Sequence, residues 1–434
     1  MPPPVRKAVV TPASPVASTV VEQSSGVTGP AIVIDLGSYE TKVCFSDKID
    51  QAQSFPTVVA YDKEKEVSEQ EKQKGGKYDK PDFYVGKDAL AKFKSGASKK
   101  SLIGKKAGST PIYVLRYPYQ RGLVLDWDQI EAILAHAFKL VGVQAPIQVP
   151  VVLTTSSSCP PHQREGLSQL ILDLFKATHL YYDVPAAFVQ YADNKNTKPS
   201  VVVDIGASTS SVTSVSTKDT VLSRSKKSQV VLATGQEITK YLSRLMSESG
   251  YVLDPTEAIK VASSAKSLCY VCQNLKEELV LFKKDSSQFD QELELPTGEK
   301  LKLNRECFLA PEVLFDPSLA GVYQQEAQGL AQLLCQVEPK EALSNVILCG
   351  GSSLLPGLAD RVQQEVKDLL TKQGSANEAK QVNVTVLNPS NAEENDTLNI
   401  LRGAAALAEA NFKSPNNPSI PWQTQSSQVI KNLF

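Results

Sequence analysis

Buried strand patterns alternate with amphipathic helix patterns along most of this chain. Apolar residues recur at helical spacing in six segments, and a further helix is expected from Leu358 to Lys367. The six segments are Trp127 to Val141, Gln163 to Phe175, Gln236 to Glu248, Ala258 to Leu281, Gln324 to Gln336 and Thr397 to Asn411. Because strands and helices alternate, the pattern predicts an α/β fold in which helices cover sheets.

Two segments repeat one pattern: a β-branched run, an aspartate and a turn that contains glycine. The first runs from Ala31 to Ser38 and the second from Val201 to Ser208, and a second alternating run follows each of them. β-Branched residues favour buried strands, and glycine permits tight turns. The sequence therefore predicts two copies of one β-hairpin unit.

A third strand pattern ends at Gly350 and Gly351 and leads through Pro356 into the helix expected at Leu358. Glycines between a strand and a helix start allow backbone to approach a ligand at the helix N-terminus. A single motif of this kind is weak evidence. Together with the two hairpins, in this order, it indicates a ligand-binding cleft.

The three motifs and the segments between them resemble actin and its relatives from about Ala31 to Phe434. The segments that carry the likeness are 54–59, 82–86, 115–128, 268–271, 308–317 and the Gly350-Gly351 pair. Hexokinases and large heat-shock chaperones share the duplicated hairpins but not the intervening segments. The resemblance implies an α/β, actin-like two-domain clamshell, in which duplicated β-hairpin phosphate loops enclose a cleft for ATP or ADP with Mg²⁺.

The same resemblance implies a division of the chain into parts. Residues 1–29, which precede the likeness, are rich in Pro, Ser, Thr and Val and are expected to be a disordered tail. The resemblance implies domain I over 30–191 with 397–434 returning to it, domain II over 192–396, and variable loops over 61–111. Within the last of these, charged residues occupy the place of a filament contact, which argues against polymerisation.

Residue-by-residue transfer places the candidate site at the cleft. Asp35 and Asp204 would hold Mg²⁺ from opposite sides, and Lys42 would contact phosphate. The third motif would support adenine. The candidate cofactor-binding residues are Asp35, Gly37, Ser38, Lys42, Asp204, Gly206, Ser208, Gly235, Glu237, Gly350, Gly351, Ser352 and Leu355.

Departures from actin also gather at the cleft. Tyr39 replaces a glycine, so its side chain must either point away or crowd the phosphates. Ala207 and Ser211 replace an acid and a histidine that organise the attacking water. Pro185 aligns with a glutamine that positions this water, and proline offers no side-chain hydrogen bond. We expect no catalytic residues, and therefore an ATP-binding protein that is not a working ATPase.

The adenosine side of the cleft is altered as well. Ala265 and Lys266 stand where the family has a Lys-Glu pair near the base and ribose. Leu355 replaces a tyrosine that packs on adenine, and Asp396 falls where a lysine usually lies. We expect nucleotide binding to be retained in spite of these changes.

Composition narrows the classes of partner. The 46 Lys and Arg residues nearly balance 47 Asp and Glu, for a net charge of −1, so direct nucleic-acid binding is not expected. No apolar run reaches the roughly 18 residues that would span a bilayer. Seven scattered cysteines, including Cys269 and Cys272 in a CxxC, are typical of reduced core thiols and not of a metal site.

The resemblance favours a non-hydrolysing or weakly hydrolysing subunit of a multiprotein complex, with nuclear chromatin remodelling or histone modification preferred. Such proteins grip a helix of a partner in the groove between the lower subdomains. The alternative is a cytoskeletal or dynactin-type protein that associates with short filaments and binds actin or another actin-related protein. A second alternative is an active ATPase. The expected location, which is the nucleus in preference to the cytoplasm, follows from the analogy alone.

Overall fold

The computed structural model describes residues 29–65, 81–97, 113–192, 199–218, 221–251, 255–295, 298, 300–321, 327–387, 398–413 and 422–424. Its strands are β1 Ile32–Leu36, β2 Glu40–Phe45, β3 Gln53–Pro56, β4 Val59–Asp62, β5 Tyr84–Val85, β6 Tyr113–Arg116, β7 Tyr119–Gln120, β8 Leu123–Val124, β9 Val151–Thr154, β10 His179–Asp183, β11 Ser200–Ile205, β12 Ser210–Lys218, β13 Val221–Val231, β14 Gln291–Glu294, β15 Lys300–Leu303, β16 Val346–Cys349, β17 Val384–Val386 and β18 Gln423–Thr424.

Its α-helices are α1 Lys87–Ala97, α2 Trp127–Leu140, α3 Pro161–Gln169, α4 Pro185–Ala192, α5 Gly235–Glu248, α6 Pro255–Ala265, α7 Leu275–Lys284, α8 Arg305–Leu309, α9 Leu330–Leu334, α10 Leu358–Lys372, α11 Ala376–Gln381 and α12 Asn399–Lys413. Helix α3 continues as a π-helical segment over Leu170–Leu174. None of the helices in the described part of the chain combines the length and apolar character that a membrane crossing requires.

Two large sheets are built around the two aspartate-bearing hairpins. One has the order β18-β10-β9-β1-β2-β3 and the other β13-β12-β11-β16-β17. In each sheet the first hairpin strand has an antiparallel partner on one side, β2 or β12, and a parallel partner on the other, β9 or β16. The predicted duplication and the actin-like α/β fold class are confirmed.

Both faces of the hairpin strands are buried, which explains their continuous apolar runs. In β1, Ile32 and Ile34 face the core beneath α2, whereas Val33 faces a core that contains α4 and α12. In β11, Val203 faces the core of the second sheet, whereas Val202 enters the same core as Val33. The two sheets therefore share one apolar cluster beside the helices α4 and α12.

Gly403 permits the close contact between α12 and α4. A Cβ atom at this position would overlap the carbonyl oxygen of Phe188, which is backbone and cannot rotate away. We expect Gly403→Ala to lower the free energy of unfolding by about 3 kcal/mol, because overpacking would force the helices apart. Chemical denaturation measures the loss.

The matched control is Gly142→Ala, at a φ of +78° and with no atom within 4 Å of the added Cβ. Backbone strain alone should cost this variant about 1 kcal/mol. Equal losses in the two variants would contradict the packing role of Gly403.

Most of the predicted helices are confirmed within two residues at their starts, but the expected helix from Ala258 to Leu281 is wrong. Helix α6 ends at Ala265 and α7 begins at Leu275. Between them Tyr270 N–H donates to the Cys307 carbonyl and Val271 N–H donates to the Pro356 carbonyl. These long-range backbone bonds draw the segment out of the helix.

Other expectations are corrected or lie outside the described residues. The helix expected from Gln324 to Gln336 is limited to α9, because Gly329 caps its start, and Gln324 is not described. Part of 61–111, expected as loops, forms α1, β5 and the end of β4. Residues 66–80 and 98–111 of this range lie outside the described residues, as do 1–28 of the expected tail. The CxxC thiols are buried, as predicted.

Candidate functional site

Asp35 lies near the end of β1 and is held from two neighbouring strands. Lys42 stands directly opposite on β2, and its Nζ lies 3.6 Å from Asp35 Oδ2. Thr154, the last residue of β9, donates its hydroxyl to Asp35 Oδ1 at 2.6 Å and accepts from Leu36 N–H at 3.1 Å. The carboxylate is therefore buried, oriented and partly neutralised by a cation.

Asp204 occupies the equivalent place in the second hairpin with a different partner. Ser211, and not a lysine, stands opposite it on β12. The pKa of Asp204 is raised to about 7, chiefly by burial and then by the negative charge of Asp35, while Lys42 acts in the opposite direction. The negative charge of Asp35 thus disfavours ionisation of Asp204.

The two hairpin turns repeat one close backbone approach. A Cβ atom on Gly37 would lie 2.5 Å from the Glu40 carbonyl oxygen, and one on Gly206 would lie 2.7 Å from the Thr209 carbonyl oxygen. Each glycine therefore permits its turn to tighten against the residue three positions later. The serines that follow, Ser38 and Ser208, are buried in their loops.

Tyr39 does not crowd the first loop. Its side chain is 66% exposed and lies beside Tyr117, whose pKa is raised by burial and by the neighbouring Tyr39. The Tyr39 carbonyl also accepts the Thr57 N–H at 2.9 Å. Of the two outcomes considered for this residue, the structure shows the side chain pointing outward.

The third motif follows β16, which lies beside β11 in the second sheet, and its first glycine lies against Asp204. Gly350 has a φ of +87°, and a Cβ atom here would lie 2.6 Å from Asp204 Oδ1. A Cβ on Gly351 would meet no atom within 4 Å, so this residue borders open space. Leu355 instead packs in the core of the second sheet, and its predicted contact with adenine stays a prediction.

Lys266 reaches the same motif from the 3₁₀ turn Lys266–Leu268 that follows α6. Its Nζ lies 2.7 Å from Ser352 Oγ and 3.4 Å from the Gly235 carbonyl oxygen. The motif and the start of α5 are therefore joined by an amine, at the place where the resemblance puts a carboxylate.

Helix α5 begins against the second hairpin turn. Gly235 N–H donates to the Gly206 carbonyl at 2.9 Å, and Gln236 N–H donates to the Ala207 carbonyl at 2.8 Å. The Glu237 carboxylate is buried and forms ion pairs with Lys240 at 3.1 Å and Arg121 at 3.5 Å. The predicted site residues of α5 are thus near the loop, but Glu237 is already engaged by cations.

The turn between β7 and β8 connects the two halves of the site, which sequence reasoning missed. Arg121 N–H donates to Ser208 Oγ at 2.8 Å, and Gln236 Nε2 donates to Gln120 Oε1 at 3.0 Å. The Arg121-Gly122 pair between two short strands indicates a turn, but nothing local identifies its partners. Thr154 was also missed, because its role depends on β9 lying beside β1.

Pro185 is explained by its position in the fold. It is the first residue of α4, where a missing N–H is tolerated and the fixed φ of proline suits the helix start. Local structure therefore accounts for this proline without reference to hydrolysis. Ala207 and Ser211 remain the two departures that lie at the second hairpin beside Asp204.

The residues present fit a nucleotide with Mg²⁺. Hard cations prefer carboxylate oxygens, and Mg²⁺ is commonly held by one or two carboxylates together with water and substrate phosphate. Asp35 and Asp204 supply such a pair. The pKa of Asp204 is raised by burial and then by the negative charge of Asp35, and a divalent cation would favour the ionised form against both. Among the described residues no cluster of three or more His, Cys, Asp or Glu offers an all-protein cage.

Comparison with known proteins agrees with this architecture. A sequence model described as Actin matches residues 27–414. A protein of Neurospora crassa described as an actin-like protein is 31% identical over 303 residues, which cover 67% of this chain and 77% of that protein. Family match, duplicated hairpins and paired aspartates all point the same way: the chain belongs to the actin family, as a divergent actin-related protein.

Proposed function

We propose that this chain binds ATP or ADP with Mg²⁺ as a structural element, hydrolyses it slowly or not at all, and serves as a subunit of a larger protein complex. One observation carries the proposal. The second hairpin keeps its aspartate and glycine turn but presents Ala207 and Ser211 beside Asp204. The groups suited to binding are thus retained, whereas no acid or imidazole accompanies them at these two positions.

Hydrolysis needs a water molecule that is oriented and partly deprotonated as it attacks phosphorus. A serine hydroxyl at position 211 is a poor base at neutral pH, and the methyl group of Ala207 forms no hydrogen bond. Asp204 would be occupied with the metal ion. Mg²⁺, when bound, would neutralise phosphate charge, while Lys42 and the hairpin turns would hold the phosphates without activating water.

Retained nucleotide would stabilise the folded state. The two hairpins lie in different sheets, and Arg121, Gln236 and Lys266 bridge the elements around the site. A ligand present at about 1,000 times its dissociation constant adds about 4 kcal/mol to the free energy of unfolding. This stabilisation is the role that we assign to the nucleotide.

Restoring the two missing groups tests the lack of hydrolysis. We expect the wild-type protein to release phosphate from bound ATP at the background rate, and an Ala207→Asp/Ser211→His variant to release it at least about tenfold faster. Single-turnover assays with radiolabelled ATP measure both rates. An Asp204→Asn change added to the double variant should remove the gain. Wild-type hydrolysis that is sensitive to Asp204→Asn would show that the chain is an ATPase.

We further propose that the complex is nuclear and acts in chromatin remodelling or histone modification. Family membership supports a role in assemblies with other proteins, and the finer assignment rests on the resemblance. Mass spectrometry of the affinity-purified full chain should identify remodelling or histone-modifying subunits, and imaging should locate the chain in the nucleus. Copurification of filament or dynein-associated proteins instead would favour the cytoskeletal alternative.

A further inference from the structure

Helices α1 and α6 are joined by a cation–π contact. Lys260 Nζ on α6 lies 5.5 Å from the centre of the Phe93 ring on α1. Lys260 is exposed and Phe93 is half-buried. A cation over the face of an aromatic ring is attracted by the quadrupole of the ring, so the contact depends on the charge of the lysine.

Helix α6 is fixed to the second sheet, which contains β11. Its Ala262 and Ala265 are fully buried in the core of that sheet. Directly after the helix, Lys266 Nζ lies 2.7 Å from the hydroxyl oxygen of Ser352 in the third motif. Lys260 is therefore carried by the second sheet.

Helix α1 is attached to the first sheet, which contains β1. Its Ala89 is buried in one cluster with Val58, which precedes β4. The residue before that, Thr57, donates its N–H to the Tyr39 carbonyl in the turn of the first hairpin at 2.9 Å. Because Phe93 is carried by the first sheet and Lys260 by the second, their contact joins the two halves of the cleft.

The turn between β7 and β8 joins the same two halves at another place. Tyr119 and Val124, which flank the turn, lie in the core of the first sheet. Between them, Arg121 N–H donates to the hydroxyl oxygen of Ser208 in the second hairpin at 2.8 Å. This bond breaks when the halves separate, so exchange of the Arg121 amide hydrogen with solvent reports on opening of the cleft.

We propose that Phe93 and Lys260 form a clasp that holds the two halves of the cleft together and slows the release of bound nucleotide. The control of release rests on the proposed function, since it requires that the cleft binds nucleotide. Because Lys260 is exposed, acetylation can remove its charge, and the loss of charge releases the clasp.

The experiment follows dissociation of a fluorescent ATP analogue from the full chain with Mg²⁺, after addition of excess unlabelled ATP. Lys260→Gln and Phe93→Leu should each speed dissociation about threefold, the size expected of an exposed cation–π contact. The double variant should be no faster than either single variant, because both changes remove the same contact. Phe93→Trp should slow dissociation, since tryptophan attracts cations most strongly.

Lys48→Gln is the matched control. Lys48 Nζ lies 5.9 Å from the centre of the Phe45 ring, and both residues belong to the first half of the cleft. This change removes a cation–π contact of the same kind without affecting the clasp, and dissociation should be as fast as in the wild type.

Hydrogen exchange of the ligand-free protein tests the clasp without nucleotide. Peptides that contain Arg121, analysed by mass spectrometry, should show about threefold faster exchange of its amide in Lys260→Gln than in the wild type. Equal exchange in the two proteins would overturn the clasp. Thermal denaturation confirms that each variant is folded.

The remaining outcomes separate the clasp from the proposed function. Nucleotide that binds, but dissociates from Lys260→Gln and Phe93→Leu as from the wild type, would overturn the control of release and leave the proposed function standing. Additive effects in the double variant would also overturn the clasp, since the two residues would then act separately. A wild-type protein that does not bind the analogue would overturn the proposed function and the control of release together.

Discussion

Asp204→Asn should remove the stabilisation that Mg²⁺ and nucleotide give to the wild-type protein, and should stabilise the ligand-free protein at pH 8. The first effect follows from the loss of one of the two carboxylates that fit the metal. With ligand at about 1,000 times the wild-type dissociation constant, the lost stabilisation is about 4 kcal/mol.

The second effect follows from the raised pKa of Asp204. In the unfolded chain this acid ionises near its ordinary pKa of about 4, whereas in the folded protein its pKa is about 7. The folded state therefore holds a proton in this interval that the unfolded state has lost. Its stability falls as the pH rises from about 4 to 7, and the full loss persists above 7. Asparagine does not ionise and avoids this loss.

Thermal denaturation at pH 5 and pH 8, with and without ATP and Mg²⁺, measures both effects. Without ligand, the variant should exceed the wild type at pH 8, and most of the difference should vanish at pH 5. Asp368→Asn, at an exposed position on α10, is the matched control and should show neither effect. An unchanged ligand response in Asp204→Asn would exclude Asp204 as a metal ligand.

Arg361→Met should cost about 3–5 kcal/mol of stability, since it removes the cation from a buried ion pair. Arg361 on α10 is 9% exposed and its two Nη atoms each lie 3.4 Å from an oxygen of Glu312, which is 4% exposed. The guanidinium also donates to the Cys272 carbonyl at 2.6 Å. Burial raises the pKa of Glu312 and Arg361 lowers it, so the variant leaves an unpaired buried carboxyl.

A double-mutant cycle separates this charge effect from lost packing. Glu312→Gln, added to Arg361→Met, should recover part of the stability because the buried carboxylate is removed. The recovery should be incomplete, since Glu365, whose Oε1 lies 2.6 Å from Arg361 Nε in the wild type, also loses its cation. Arg244→Met breaks an exposed ion pair with Glu248 and should cost less than about 1 kcal/mol. Denaturant titration gives all the values. A loss from Arg361→Met no larger than that from Arg244→Met would show that the buried pair is not important for stability.

The hairpins were predictable because their signal is local. The residues that form β1, its turn and β2 are contiguous, and Asp35 and Gly37 are separated by one residue. The break between α6 and α7 was not predictable from helical periodicity. It depends on backbone bonds from Tyr270 and Val271 to residues that lie 37 and 85 positions later along the chain. A local preference for helix is overridden where backbone groups form hydrogen bonds with such distant residues instead.

The candidate site was likewise predictable only in part. Residue types at the cleft, including Ala207 and Ser211, were read from the sequence through the resemblance to actin. Thr154 and Arg121 were not, since each acts on a residue 119 or 87 positions away, Asp35 and Ser208 respectively. The significance of Pro185 also changed, because the fold assigns it to the start of a helix.

By itself, the sequence determined the duplicated aspartate and glycine turns and the alternating α/β pattern, and the residue types at 207 and 211 on which the proposed lack of hydrolysis rests. These features lie in short segments whose backbone preferences and residue types are local. Only the tertiary structure decided that Asp35 is paired with Lys42 while Asp204 faces Ser211 and bears a raised pKa. It also placed the Lys266 amine between Gly235 and Ser352. The burial of a side chain and the charges around it depend on which distant segments pack together, and these contacts exist only in the folded chain.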